Sequence, residues 1–231
     1  SIGNLNADVN MKLPDNKLAT YSGKISSAGI NIGRLFNNDK LGNLALDGKV
    51  KGSGFTLQNL NADFDGKIHS LWFSGYNYKN ITLNGTFVRN LFTGKLDIDD
   101  PNLKINNLTG SVSLLGDTSK FNFDADLQYA NLYQLNISKQ KFSLSGLLNL
   151  NFVGNNIDNF LGTAKMYNAT LLNDSARLSF DSLSLTSYIE AGNKILKIET
   201  NEMEGNITGR FKILELPGAF NVFLNRYYPS Y

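Results

Sequence analysis

The sequence predicts an all-β fold, an antiparallel meander whose sheet curls about its apolar side, with only a few short helices. Three observations in the 231 residues carry this reading. Apolar and polar residues alternate strictly over long stretches; glycines recur in the apolar phase of that alternation; and helical spacing is confined to short segments.

Strict alternation marks a strand with one buried and one wetted face. In "FSLSGLLNLNFVG" the residues Phe142, Leu144, Gly146, Leu148, Leu150 and Phe152 share one face, Ser143, Ser145, Asn149 and Asn151 share the other, and only Leu147 breaks the pattern. The motif apolar-x-Gly-x-apolar returns at Gly48, Gly66, Gly85, Gly94, Gly110, Gly146 and Gly209. Asn84-Gly85 alone would read as a type I′ hairpin turn. Ile81, Leu83, Gly85 and Phe87 keep one parity, however, so the alternation passes through the glycine and places it inside a strand. A glycine on the apolar face allows a sharp bend or a close approach, and its repetition lets a sheet curl. An ordinary hairpin turn remains open for individual copies.

Further alternating runs lie near 121–127, 132–137, 178–185 and 196–200, separated by Asn-, Asp- and Gly-containing breaks that suit short hairpins. Long helical crossovers, which a parallel sheet needs, are absent from the pattern. Helical turns are expected at 31–36, at 155–161 (Ile157, Phe160 and Leu161) and near the end, where Phe220, Phe223, Leu224 and Tyr227 form a stripe between Pro217 and Pro229. The chain therefore divides into a repeating β-segment, 1–213, and a short amphipathic helix with its tail, 214–231. A coarse internal repeat, near 30–128 and 130–213, rests on the order of a short helix or loop followed by a Gly-bearing strand.

A sheet with one apolar face must cover that face. The helical segments are too short to do so, which leaves a second sheet, closure into a barrel, or a curled groove facing something apolar that is not protein. Inward glycines and the long meander favour curling. The candidate inner wall comprises Leu44, Leu46, Val50, Phe64, Ile68, Ile81, Leu83, Phe87, Leu96, Ile98, Val112, Leu114, Phe121, Phe123, Leu127, Phe142, Leu144, Leu148, Leu150, Phe152, Ile207 and Phe211.

Composition excludes several chemistries. Net charge is +2 with dispersed lysines, which argues against nucleic acid as a partner. There is no cysteine, and His69 is the single histidine, so neither a thiolate or His-pair metal site nor a Ser-His-Asp triad can be assembled. Asp97, Asp99 and Asp100 form the densest carboxylate group, read as a solvated strand end because no calcium-loop spacing follows. Enzyme activity, metals and cofactors are not expected. Trp72, Tyr76 and Tyr78 could stack on sugars, although aromatics favour strands without any ligand. The triplets at Asp174 and Asp181 resemble the O-glycosylation pattern of Bacteroidota envelope proteins. No apolar run approaches the roughly 20 residues of a membrane-spanning helix. Because the chain opens on Ser1 with the strand pattern already under way, it reads as an internal segment.

The succession "GKVKGSGFTLQNLNADFDGKI", "YNYKNITLNGTF", "LDIDDPNLKI", "GNNIDNFLGTAKM" and "ITGRFKILELPGAFNVFLNRYYPSY" resembles the interior of TamB-type proteins of the AsmA-like superfamily, particularly those of Bacteroidota. The resemblance covers nearly the whole chain and implies a U-shaped β-groove, or β-taco, in an inner-membrane-anchored protein that crosses the periplasm. It further implies a non-enzymatic role in moving phospholipids towards the outer membrane, with the wall above lining a lipid groove. An outer-membrane protein of the Omp85 class would be engaged through parts outside this segment. The alternative is a β-sandwich module that binds glycan or protein on its surface.

Overall fold

The computed structural model describes residues 2–15, 17–56, 58–113, 118–154, 158–173, 176–216, 219, 222 and 226. Alternation produces strands throughout: β1 (Gly3–Lys12), β2 (Thr20–Asn31), β3 (Leu41–Ser53), β4 (Asn61–Phe73), β5 (Tyr76–Val88), β6 (Leu91–Asp100), β7 (Leu103–Ser113), β8 (Lys120–Asn131), β9 (Phe142–Val153), β10 (Leu161–Asn173), β11 (Ala176–Glu190), β12 (Asn193–Thr200) and β13 (Glu204–Gly209). They pair antiparallel in strict chain order in one 13-stranded sheet, whose edges β1 and β13 are not joined to each other. The fold is thus the curled, open meander that the alternation predicts. The second sheet of a sandwich is absent among the described residues.

Helix is scarce. α1 (Ile32–Phe36) follows β2, capped by Asn31, whose Oδ1 accepts from Arg34 N at 2.9 Å, and a single 3₁₀ turn, Ile213–Glu215, follows β13. Most of the expected C-terminal helix, including Phe220, Phe223, Leu224 and Tyr227, lies outside the described residues, as do Leu114, Asn155, Ile157, Asp174 and Ser175. Two expectations are corrected. The alternating run at 132–137 is a turn segment, because Asn131 Oδ1 accepts from Gln134 N at 3.1 Å and Leu135 N donates back to Asn131 O at 3.0 Å. Leu161 opens β10 rather than closing a helical turn, since it pairs with Val153.

The pairing register recurs at a spacing of one hundred residues. Gly3↔Ile30 returns as Leu103↔Ala130, Ser27↔Leu46 as Leu127↔Gly146, Gly52↔Ala62 as Phe152↔Gly162, and Ala62↔Phe87 as Gly162↔Ser187. The rims follow suit: the Asn31 cap has its counterpart at Asn131, and Gly54 N donating to Ala19 O at 3.1 Å is matched by Gly154 N to Ser119 O at 2.9 Å. Six strands, β2 to β7 and β8 to β13, therefore make one unit.

Candidate functional site

Hairpins place successive connections at opposite ends of the strands, which gives the sheet two rims. The near rim carries α1, the β4–β5 and β6–β7 turns and segment 132–141; the far rim carries the connections 54–60 and 154–160 and the chain after β13. β9 separates segment 132–141 from 154–160 by 12 residues, about 40 Å if straight. Yet Tyr133, Gln134 and Lys139 from one rim and Asp158, Lys212 and Glu215 from the other line a single cavity of ≈ 1020 Å³. The segments that leave the two rims therefore reach over the curled sheet towards one another, so the sheet forms a trough with this cavity, where they meet, at its mouth.

Registers settle which side chains share the trough wall, because directly paired residues lie on one face. Leu46, Ile68, Ile81, Ile98, Ile105 and Leu127 form one unbroken row of branched aliphatics. Phe87, Phe92, Val112, Phe121 and Phe152 form a second, mostly aromatic row nearer the far rim. Phe64, Gly85, Gly94, Gly110, Phe123 and Leu150 run between them. Leu83 faces Leu96, Leu44 faces Leu71, Val50 faces Phe64, Leu144 faces Ala130, Leu148 faces Ala125, and Ile207 faces Leu196, all on this wall. Phe142 ends the same β9 row opposite Asn173, and Phe211 follows β13.

The wall is not uniformly covered. Phe64, Ile81, Leu83, Ile98, Ile105 and Leu127 are buried, and Leu135 of the turn segment, 3 % exposed, packs into the cluster that holds four of them. That segment is tied down by Asn136 Nδ2, which donates to Gly75 O at 2.9 Å. The aromatic row and Phe123, Leu148 and Leu150 stay half-buried. The near side is thus packed by the turn segment, whereas on the far side the row from Phe87 to Phe121 keeps partial exposure and Phe160, 4 % exposed, packs edge-on over Phe152 at 5.8 Å.

All seven predicted glycines stand within strands, Gly110, Gly146 and Gly209 at φ of 154°, 144° and 129°. Their missing side chains do not leave empty space in the middle of the wall. A Cβ on Gly85 would sit 2.3 Å from the Phe92 ring and one on Gly48 2.7 Å from the Phe64 ring; the same two rings crowd Gly94 and Gly66. The Gly48–Gly66 and Gly85–Gly94 pairs are each a seat for one phenylalanine ring.

Strand bending has a second source, one that alternation does not announce. On several strands two inward residues stand three apart rather than two: Ile68 and Leu71, Tyr78 and Ile81, Ile105 and Leu108, Leu127 and Ala130, Met166 and Ala169, Phe180 and Leu183. An extra residue of this kind kinks a strand. In three of these steps an asparagine takes a positive φ, 52° at Asn80, 53° at Asn107 and 50° at Asn168. The signal visible in the sequence is a change of parity at an asparagine.

The carboxylates at 97–100 have structural roles. Asp97 accepts from Asn107 N at 2.7 Å, fixing the β7 kink, and Asp99 meets Lys104 at 3.2 Å. Asp100 is 5 % exposed, against the expectation of a solvated end. It accepts from Tyr76 Oη at 2.6 Å, Lys79 N at 2.9 Å and Asn102 N at 2.8 Å. Burial, with the neighbouring Tyr76 and Asp100, raises the Tyr78 hydroxyl above its usual pKa. His69 lies on the outer face in contact with Asp47, both well exposed. One cation on the inner wall also went unforeseen: Lys194, in the phase of Leu196 and opposite Gly209. It donates to Asp158 O and lies 5.9 Å from the Phe160 and 5.5 Å from the Phe211 ring centre. Burial pushes its pKa down, with Asp158 acting in the opposite sense. Compared with protein families, curated proteins and solved structures, the chain matches none of them.

Proposed function

We propose that the chain is a segment of a non-enzymatic lipid conduit of the TamB type, in an inner-membrane-anchored envelope protein of the periplasm, with phospholipids as its cargo. The observation that carries this reading is the aromatic side of the trough: Phe87, Phe92, Val112 and Phe121 form an apolar row continuous across strands and only partly buried, with Phe160 packed over the row's Phe152 end. Acyl chains need no directional contact there; each CH₂ transferred from water gains about 0.8 kcal/mol wherever it lies, so a chain can slide along the rows. Headgroups keep to the mouth. The resemblance noted in the sequence points the same way.

Phospholipid carrying a photoreactive acyl chain tests the reading on purified protein. Leu148→Glu and Leu150→Glu put carboxylates on the wall, and Asn149→Glu puts the same charge on the outer face. Crosslinking should fall several-fold in the inward variants and stay near wild type in the outward one, with folding checked by circular dichroism. Equal crosslinking in folded inward and outward variants would remove the conduit.

A further inference from the structure

The apolar wall does not taper off at the β1 edge of the sheet. Leu5 is 50 % and Met11 48 % exposed, whereas Ile105 and Val112, which hold the same places in β7, are buried and half-buried. The equivalence lies in partners a hundred residues apart: Met11 pairs with Tyr21 as Val112 does with Phe121, and Asp8 with Lys24 as Thr109 does with Asp124. β7 is covered on its other side by β6, and β1 has no such neighbour among the described residues. Its backbone edge runs for 10 residues without a proline, the kind of edge to which a further strand adds. β13, at the opposite end, offers only 6 residues, and its Glu204 is held by Lys197 at 3.0 Å.

We infer that β1 is a receptor edge for a peptide strand of the β6 kind, apolar-x-Gly-Lys-apolar, which adds to it antiparallel. The β6–β7 register, carried over to β1, sets Phe92 opposite Met11 and Gly94 opposite Val9. β7 skips from Asn106↔Asp126 to Thr109↔Asp124, whereas β1 runs evenly through Asn6↔Ser26, Ala7↔Ile25 and Asp8↔Lys24. The added ladder is therefore unbroken, from Leu91 opposite Lys12 to Ile98 opposite Leu5, and its apolar residues cover the exposed phase of β1. Gly94 brings no side chain against the branched Val9, which stands where β7 has Gly110. Lys95 meets Asp8, where β7 has Thr109, and opposite charges directly across a strand pair attract. This pair also fixes the register. A slip of one residue throws the apolar phase onto the wrong face, and a slip of two moves Lys95 from Asp8 to Asn6 or Asn10.

A fluorescein-labelled peptide with the sequence of residues 91–100, titrated into the purified chain and followed by anisotropy, tests the edge. It should bind at one site and slow amide hydrogen exchange within 4–12 but not within 204–209. Lys95→Glu in the peptide should weaken binding about fivefold, as a cross-strand attraction becomes a repulsion. Asp8 is exposed, so Asp8→Lys in the chain should leave folding intact, weaken the unaltered peptide by a similar factor and restore binding of the Lys95→Glu peptide. Failure to bind, protection outside β1, or a charge reversal that Asp8→Lys does not rescue overturns the receptor edge. So does a dimer, seen by analytical ultracentrifugation, that the peptide fails to dissociate, because β1 then belongs to a second copy.

Discussion

At the scale of single residues, the glycine seats make the sharpest predictions. Gly85→Ala forces a methyl group against the Phe92 ring, 2.3 Å from where its Cβ would fall, and overpacking of this kind costs about 1–3 kcal/mol. Gly205 is also in the apolar phase of its strand, but a methyl group added there would meet nothing within 4 Å. It should accept alanine with a change below about 0.5 kcal/mol. Urea midpoints of the two variants decide whether the seat or strand propensity governs; a matching loss in both would discredit the seat. Asp100→Ala strands three donors at once, and each buried unpaired group costs about 1–3 kcal/mol. That variant should therefore be among the least stable single substitutions in the chain. Lys194 gives a pH dependence. Its folded pKa lies below the unfolded one, so the unfolded state binds more protons between them, and its unfavourable contribution, complete at neutral pH, fades as pH rises through the folded pKa towards 10.5. The melting temperature of wild type relative to Lys194→Met should thus rise with alkaline pH; a flat difference would mean that Lys194 keeps its ordinary proton affinity.

At the scale of the element, strands were legible and their kinks were not. Alternation and the glycine motif are local patterns set by a face that must be buried, and they placed Gly48, Gly66, Gly85, Gly94, Gly110, Gly146 and Gly209 inside strands correctly. The kinks also leave a trace, the slip of the apolar phase between Ile105 and Leu108 or between Met166 and Ala169. On its own such a three-residue step looks like a helical fragment or a strand end. Only pairing with a neighbour reveals an extra residue. The segment 132–137 misled for a related reason: Leu132, Leu135 and Ile137 alternate with polar residues imperfectly, and a capping asparagine one residue earlier turns the chain before any ladder can form. Lys194 was invisible because a lysine on an apolar parity is ordinarily a strand end reaching water. If the kink in β7 depends on the left-handed backbone of Asn107, Asn107→Gly should be neutral or slightly stabilising, and Asn107→Val should lose roughly 1–2 kcal/mol from the disfavoured positive φ. Thermal melts of the pair check this, and equal stability of both would assign the kink to the Asp97 hydrogen bond instead.

At the scale of the whole molecule, the curl is a statement about distance between rims, and the absence of cysteine makes it measurable. Gln134 and Ala219 line the same mouth from opposite rims. A Gln134→Cys/Ala219→Cys double variant should be joined rapidly by a short bis-maleimide in native protein and slowly in urea; no native crosslinking would mean a flatter sheet. The trough was legible as an apolar face without a helical cover, because helices too short to cover it could be counted from the sequence. The polar mouth was not, since Tyr133, Lys139, Asp158 and Lys212 come from segments that only the curl brings together.

The register that returns every hundred residues turns the chain into a ruler. Six strands at about 4.8 Å each advance the trough by about 29 Å per unit. A sheet extended by such units grows in whole steps, because a unit cut short leaves its edge out of phase with the next one's kinks and glycine seats. The length of such a sheet is therefore quantised, set by the number of whole units it contains.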